Sequence, residues 1–183
     1  MDLGFDVVEL GESDHPEEGE TAPDFTRPLV GDEYWEETTL SDLEPPVCLV
    51  FHPMDGSFPS TYIWTELRDR GFDDLGATVV GLSISTPYAH KRFIEDHDLA
   101  GTGFRFFADP ANGVGTAYGI AHDLDGMAGI AEPRPATFVL DDGLTVRYAW
   151  AAREWPEFPN YDALEAVVAE AAGSGEAVTT SSE

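Results

Sequence analysis

Val47-Cys48-Leu49-Val50-Phe51-His52, then Pro53-Met54-Asp55-Gly56-Ser57-Phe58-Pro59-Ser60, then Thr61-Tyr62-Ile63-Trp64-Thr65-Glu66-Leu67-Arg68-Asp69-Arg70 is the stretch that decides the fold. The first run is unbroken and apolar, the pattern of a strand buried on both faces of a sheet. The second carries two prolines, a glycine and two serines, which marks a turn. The third, residues 61–70, predicts a helix. A strand, a proline-bearing loop with small hydroxyl residues and a helix form one unit of an α/β domain.

The same alternation extends outward. Residues 19–26 form an extended lead-in, since Pro23 biases its predecessor away from helix, and 34–43 predict a short strand with Ser41 capping a turn. Residues 77–85 are a β-branched core strand, and Pro87 suits the first turn of a helix running to Asp96. A strand at 104–107 and a short, glycine-weakened helix at 111–119 follow. Residues 137–140 lead through Asp141-Asp142-Gly143, a hairpin signature, into 144–150. The last helix, 161–172, has apolar positions at helical spacing. The expectation is one domain over 19–172, a mixed central sheet with helices on both faces. An acidic, flexible segment (1–18) and a flexible tail (173–183) flank it.

Thirty-six acidic residues stand against nine basic ones, a formal charge of −27 over 183 residues. Such self-repulsion opposes compactness in dilute buffer, whereas at molar salt the screening length shortens to ~3 Å. Because the acids are spread along the whole chain, the balance predicts a halophilic protein of a salt-filled cytoplasm. Nine cations are too few for a phosphate-binding face, which excludes nucleic acid as a partner. No run approaches the ~18 apolar residues that span a bilayer, and residues 1–20 lack a secretory pattern. The expected location is therefore cytoplasmic, away from membranes. A single cysteine, Cys48, excludes an intramolecular disulfide and a cysteine-based metal cluster.

Several motifs in order resemble the peroxiredoxin (alkyl hydroperoxide reductase/thiol-specific antioxidant, AhpC/TSA) family over residues 19–172. They are Gly19-x-x-Ala22-Pro23-Asp24-Phe25, Thr39-Leu40-Ser41-Asp42-Leu43 and the loop Pro53-x-x-x-Ser57-x-x-Ser60. Leu67-Arg68-Asp69, Ser83 to Lys91, Asp109-Pro110-x-Asn112-Gly113, Ala117-Tyr118-Gly119 and Arg134 to Asp141 continue the series. The resemblance implies a thioredoxin-like fold and an antioxidant, peroxide-reducing oxidoreductase role supported by a thiol reductant. It also implies site residues Pro53, Ser57, Arg134 and, where the family has its peroxide-reducing cysteine, Ser60. Two departures accompany it. Arg134 lies three residues before Thr137 instead of two, and Thr65 stands at the resolving position.

Serine changes the chemistry. A helix terminus contributes ~0.3–2 kcal/mol, at ~1.4 kcal/mol per pKa unit, which cannot bring an alcohol to an anion near neutral pH. Oxygen also lacks sulfur's oxidation ladder. Ser60 is then either a helix N-cap or, remotely, a hydrolase nucleophile with His52 or His90 as base, although no G-x-S-x-G elbow is present. Cys48, mid-strand, reads as a structural buried thiol. The alternative to a redox enzyme is a non-catalytic thioredoxin-fold module for binding or assembly. His122-Asp123-Leu124-Asp125-Gly126 reads as an exposed turn, and no residue set implies a metal or cofactor. Trp150, Trp155, Phe158 and Tyr161 either pack the last helix or line a homodimer contact.

Overall fold

The computed structural model describes residues 7–122 and 129–180, with side chains of the last helix described through residue 173. In chain order the elements are β1 (Val8–Glu9), β2 (Thr26–Val30), β3 (Trp35–Thr39), β4 (Val47–Phe51), α1 (Phe58–Asp69), β5 (Thr78–Ser83), α2 (Pro87–Asp96) and β6 (Arg105–Ala108). There follow α3 (Gly113–Ala117), β7 (Ala121–His122), β8 (Glu132–Pro133), β9 (Ala136–Leu140), β10 (Val146–Ala151), β11 (Glu154–Trp155) and α4 (Tyr161–Thr180). Seven strands form one mixed sheet in the order β10-β9-β4-β5-β6-β2-β3. Parallel β4, β5 and β6 lie at its centre, flanked by antiparallel neighbours. This is the mixed α/β sheet that the sequence pattern predicts, in the thioredoxin-like form that the resemblance implies.

Alternate side chains of β4 separate the two cores. Leu49 and Phe51 join Tyr118, Phe138 and Phe107 on the face covered by α3 and the N-terminal stretch. Cys48 and Val50 face Ile63, Trp64 and Leu67 of α1, Phe93 and Ile94 of α2, and Leu164 and Val168 of α4. All five β4 residues are buried, as the continuous apolar run requires. Among the described residues, no helix is long and apolar enough to cross a membrane.

Four expectations need adjusting. The predicted strand at 34–43 is half of a hairpin whose other strand, β2, contains Pro28. That proline is tolerated because β2 pairs with β6 only from Leu29 onward. Helix α1 begins at Phe58, earlier than residue 61, because Pro59 suits a first turn and Ser57 takes the N-cap place. The last helix runs on to Thr180, past residue 172. The acidic N-terminal segment, 1–18, expected to be flexible, makes defined pairings from Val8 onward. There β1 pairs with β11, Leu10 N–H donates to Arg153 O at 2.8 Å, and the His15 ring meets Phe138 edge-on at 5.9 Å.

Candidate active site

Strand β4 ends by handing the chain to His52 and Pro53, and the loop that follows closes into α1. Ser57 is the N-cap residue of α1 in extended backbone, yet its hydroxyl makes no capping bond. It lies 2.9 Å from the hydroxyl of Ser60, one turn on. Ser60 is therefore inside the helix, and the N-cap reading of it does not hold. Its hydroxyl is fully buried and donates to Pro53 O, with Met54 O at 3.1 Å and His52 Nδ1 at 3.2 Å.

A hydroxyl has one proton. With that proton shared between the carbonyls of Pro53 and Met54, Ser60 Oγ is left to accept from Ser57 Oγ and His52 Nδ1. His52 Nδ1 also lies 2.9 Å from Pro53 O, a contact that requires an N–H on that nitrogen. The ring thus presents a donor to Ser60, not the lone pair of a general base, and the serine-hydrolase arrangement is not built. Burial pushes the His52 pKa down from 6.5 to about 4, with Asp55 and Pro53 O opposing and His90 assisting. The ring is neutral, and its Nε2 has no hydrogen-bond partner. Trp64, Phe93 and Phe106 surround it at ring-centre distances of 5.7, 6.4 and 5.8 Å.

Beneath the loop lies an ion pair that sequence reasoning saw only in part. His90 of α2 meets Phe107 O at 2.9 Å with Nε2 and Asp55 Oδ2 at 2.6 Å with Nδ1. Both ring nitrogens face acceptors, the pattern of an imidazolium donating to a carboxylate. Ser83 donates to the other Asp55 oxygen at 3.2 Å, and Asp55 N–H donates to Ser85 Oγ at 2.9 Å. Burial would raise the Asp55 carboxyl, but the charge and hydrogen bond of His90, with His52 and Ser83, bring it below its ordinary value. Glu132 of β8, fully buried, accepts from Met54 N–H at 2.9 Å. Asp55, Glu132, Ser83 and Ser85 were missed. Ser83 and Ser85 reach the loop because Phe51 pairs with Leu82, which carries residues 83–85 alongside 52–55, a register the sequence alone does not report.

Arg134 goes elsewhere. It is 6% exposed, and Nη1 donates to Gly11 O and Ala152 O, each at 3.1 Å, so its hydrogen bonds reach neither Ser57 nor Ser60. Burial lowers its pKa. Cys48 is wholly buried in the apolar core, and its thiol is pushed up to about 12. The Thr65 hydroxyl turns back on Thr61 O at 2.8 Å. The His122 ring packs on Trp155, while Asp123 to Gly126 lie outside the described residues. Phe158 contacts Phe58 and Tyr62 at 6.4 and 6.0 Å, an aromatic cluster on the rim of the loop, with Phe58 and Tyr62 exposed. Among the described residues, no group of three or more His, Cys, Asp or Glu is placed to hold a metal ion.

The AhpC/TSA family model matches residues 19–149. The chain is 29% identical over 138 residues to the putative peroxiredoxin ycf42 of Pyropia yezoensis, covering 72% of this chain and 66% of that protein. It is 30% identical over 142 residues to the chloroplastic peroxiredoxin Q of Oryza sativa subsp. japonica, covering 76% and 61%. The chain thus spans less than two thirds of the length of these relatives. The solved thiol peroxidase from Chromobacterium violaceum superposes with a TM-score of 0.71 at 20% identity, covering 92% of this chain and 93% of that one, which speaks for the fold. With its seven-stranded sheet and a family match over well over half its length, the chain belongs to the AhpC/TSA family.

Proposed function

We propose that this chain is a peroxiredoxin-type protein in which Ser60 occupies the place of the peroxide-reacting sulfur. On this reading it keeps the scaffold of a peroxide-reducing antioxidant enzyme and works without thiol peroxidase chemistry, as a binding or assembly module. The observation that carries this is the state of the two candidate nucleophiles. The Ser60 proton is pinned on Pro53 O in a closed turn, and the Cys48 thiol, raised to about 12, is neutral and out of contact with solvent. Neither supplies the thiolate that attacks a peroxide oxygen. The exposed Phe58–Tyr62 pair with Phe158 beside the loop supports the assembly half of the reading, a homodimer included. The acidic balance supports a salt-rich, cytoplasmic working medium.

A second reading, retained peroxide reduction with a thiol reductant, is favoured by the family match and the relatives named peroxiredoxins. Peroxide consumption with dithiothreitol in molar potassium chloride separates the two. The wild type and Cys48→Ser are expected to stay at the uncatalysed rate, and Ser60→Cys to gain turnover. Wild-type turnover that vanishes in Cys48→Ser would overturn the proposal, as would turnover that depends on Ser60 itself.

A further inference from the structure

Arg134 stands between two sets of acceptors. In the β4–β9 pairing Phe51 lies opposite Ala136, so extending that register sets residue 134 opposite Pro53, whose carbonyl receives the Ser60 proton. The bond from Met54 N–H to Glu132 confirms that this strand end and the loop are neighbours. On the other side, Ala151 lies opposite Ala136, which brings Ala152 alongside. The guanidinium has taken the second side, on Ala152 O and Gly11 O.

Gly11 is there because the N-terminal stretch is tied down. Strand β1 pairs with β11, Leu10 is bonded to Arg153 O, and His15 touches Phe138. The carbonyl of Asp14 sits so close to Gly119 that any Cβ there would collide with it. Yet the arginine is poorly compensated in this pose. Its Nε is buried without a partner, and among the described residues no carboxylate lies within salt-bridge distance of it, in a chain with 36 acids. A five-donor cation held by two neutral carbonyls is an arrangement open to exchange.

We propose that residues 8–15 are an intramolecular strap that holds Arg134 away from the Ser60 turn, and that releasing the strap lets the guanidinium swing to that turn. There it meets Pro53 O, Met54 O and the two serine oxygens, and it gives the first turn of α1 a cation able to hold an anion. The inference rests on the reading of position 60 as the site only for its reporter.

The test uses the full chain with Cys48→Ser and Ser60→Cys, in molar salt, following the thiol pKa through the pH dependence of alkylation by iodoacetamide. Gly11→Val loosens the strap, since Gly11 holds φ +75 with nothing within 4 Å of its would-be Cβ, so the change strains the backbone without a clash. Hydrogen exchange over residues 8–15 reports opening. With the strap in place, adding Arg134→Gln should leave the thiol pKa unchanged. With Gly11→Val it should fall by about one unit or more, and Arg134→Gln should abolish that fall. A rise on Arg134→Gln in the strapped protein overturns the proposal, as does an unchanged pKa with the strap shown open. If Gly11→Val fails to open it, Gly119→Ala, which drives a Cβ into Asp14 O, is the second variant. A strap that neither variant opens is a fixed wall, and the proposal falls. Wild-type peroxide turnover has no bearing on these readings, so the two proposals fail separately.

Discussion

Acidification should strip stability from this protein through His52. The ring is fully buried among Trp64, Phe93 and Phe106, and this burial brings its pKa from 6.5 down to about 4. In the unfolded chain the imidazole takes up a proton below about 6.5; in the folded chain it does so only below about 4. The unfolded state therefore binds more protons between those values, and stability falls as pH falls through the window. At ~1.4 kcal/mol per pH unit, the loss attributable to His52 is about 3 kcal/mol, complete near pH 4 and absent above pH 7. The assay is urea unfolding in molar potassium chloride at steps from pH 7 to pH 4, for wild type and His52→Asn. The asparagine amide can keep an N–H near Pro53 O, while its carbonyl does not titrate. Carboxylates titrate in both proteins, so the difference between the two profiles isolates the histidine. The wild-type curve should converge on or cross the variant curve by about 3 kcal/mol on going down in pH. Parallel profiles would show that the ring is charged or solvated, and the tautomer argument at Ser60 would fall with them.

Asp55→Asn removes the charge facing His90 at 2.6 Å from a carboxylate only 5% exposed, and should cost about 3–5 kcal/mol, read as a fall in Tm. Because the Asp55 carboxyl lies below its ordinary value, its contribution is present above about pH 4 and is lost as pH falls through the lowered folded value. A Tm unchanged at pH 7 would refute the pair. Gly81→Ala places a Cβ 2.5 Å from Trp64 Cζ2 and 2.7 Å from Phe106 Cδ1. Two packed rings must shift, for a loss of about 1–3 kcal/mol in denaturant unfolding; a neutral result would mean a core looser than these contacts describe. With a formal charge of −27, the melting temperature should rise from dilute buffer to molar potassium chloride, and a flat response would remove the salt-adapted reading.

The central strands were legible because β4 is a continuous apolar run and β5, β6 and β9 are rich in β-branched and aromatic residues, a signal that needs no partner to be read. Strand β2 was not, since Thr26-Arg27-Pro28 shows neither alternation nor an apolar run, and its strand character comes from pairing with β3. The pairing of β1 with β11 was invisible for a related reason. Two-residue strands have no period, and Val8 and Trp155 come from opposite ends of the chain. At the candidate site, Pro53, Ser57 and Ser60, which the resemblance implies, are brought together because they lie within one loop and one helical turn. The position of Arg134 was not legible, because its direction is chosen by carbonyls of Gly11 and Ala152 that spacing along the chain does not report.

The loop is fastened mostly by groups other than Ser60. Met54 N–H is held by Glu132, Asp55 N–H by Ser85, the Asp55 carboxylate by His90 and Ser83, and Pro53 O by His52. Several of these bonds join the loop to a charged partner, the stronger class of hydrogen bond, and those from Glu132, Ser83, Ser85 and His90 come from distant parts of the sheet and from α2. Ser60 adds a neutral bond to a carbonyl that His52 already reaches. The turn is thus held largely from its underside, and those fastenings remain when the Ser60 hydroxyl is exchanged for a thiol of similar shape. On the proposed reading, a loop fastened in this way keeps its shape whether oxygen or sulfur stands at position 60, which is what the Ser60→Cys variant relies on.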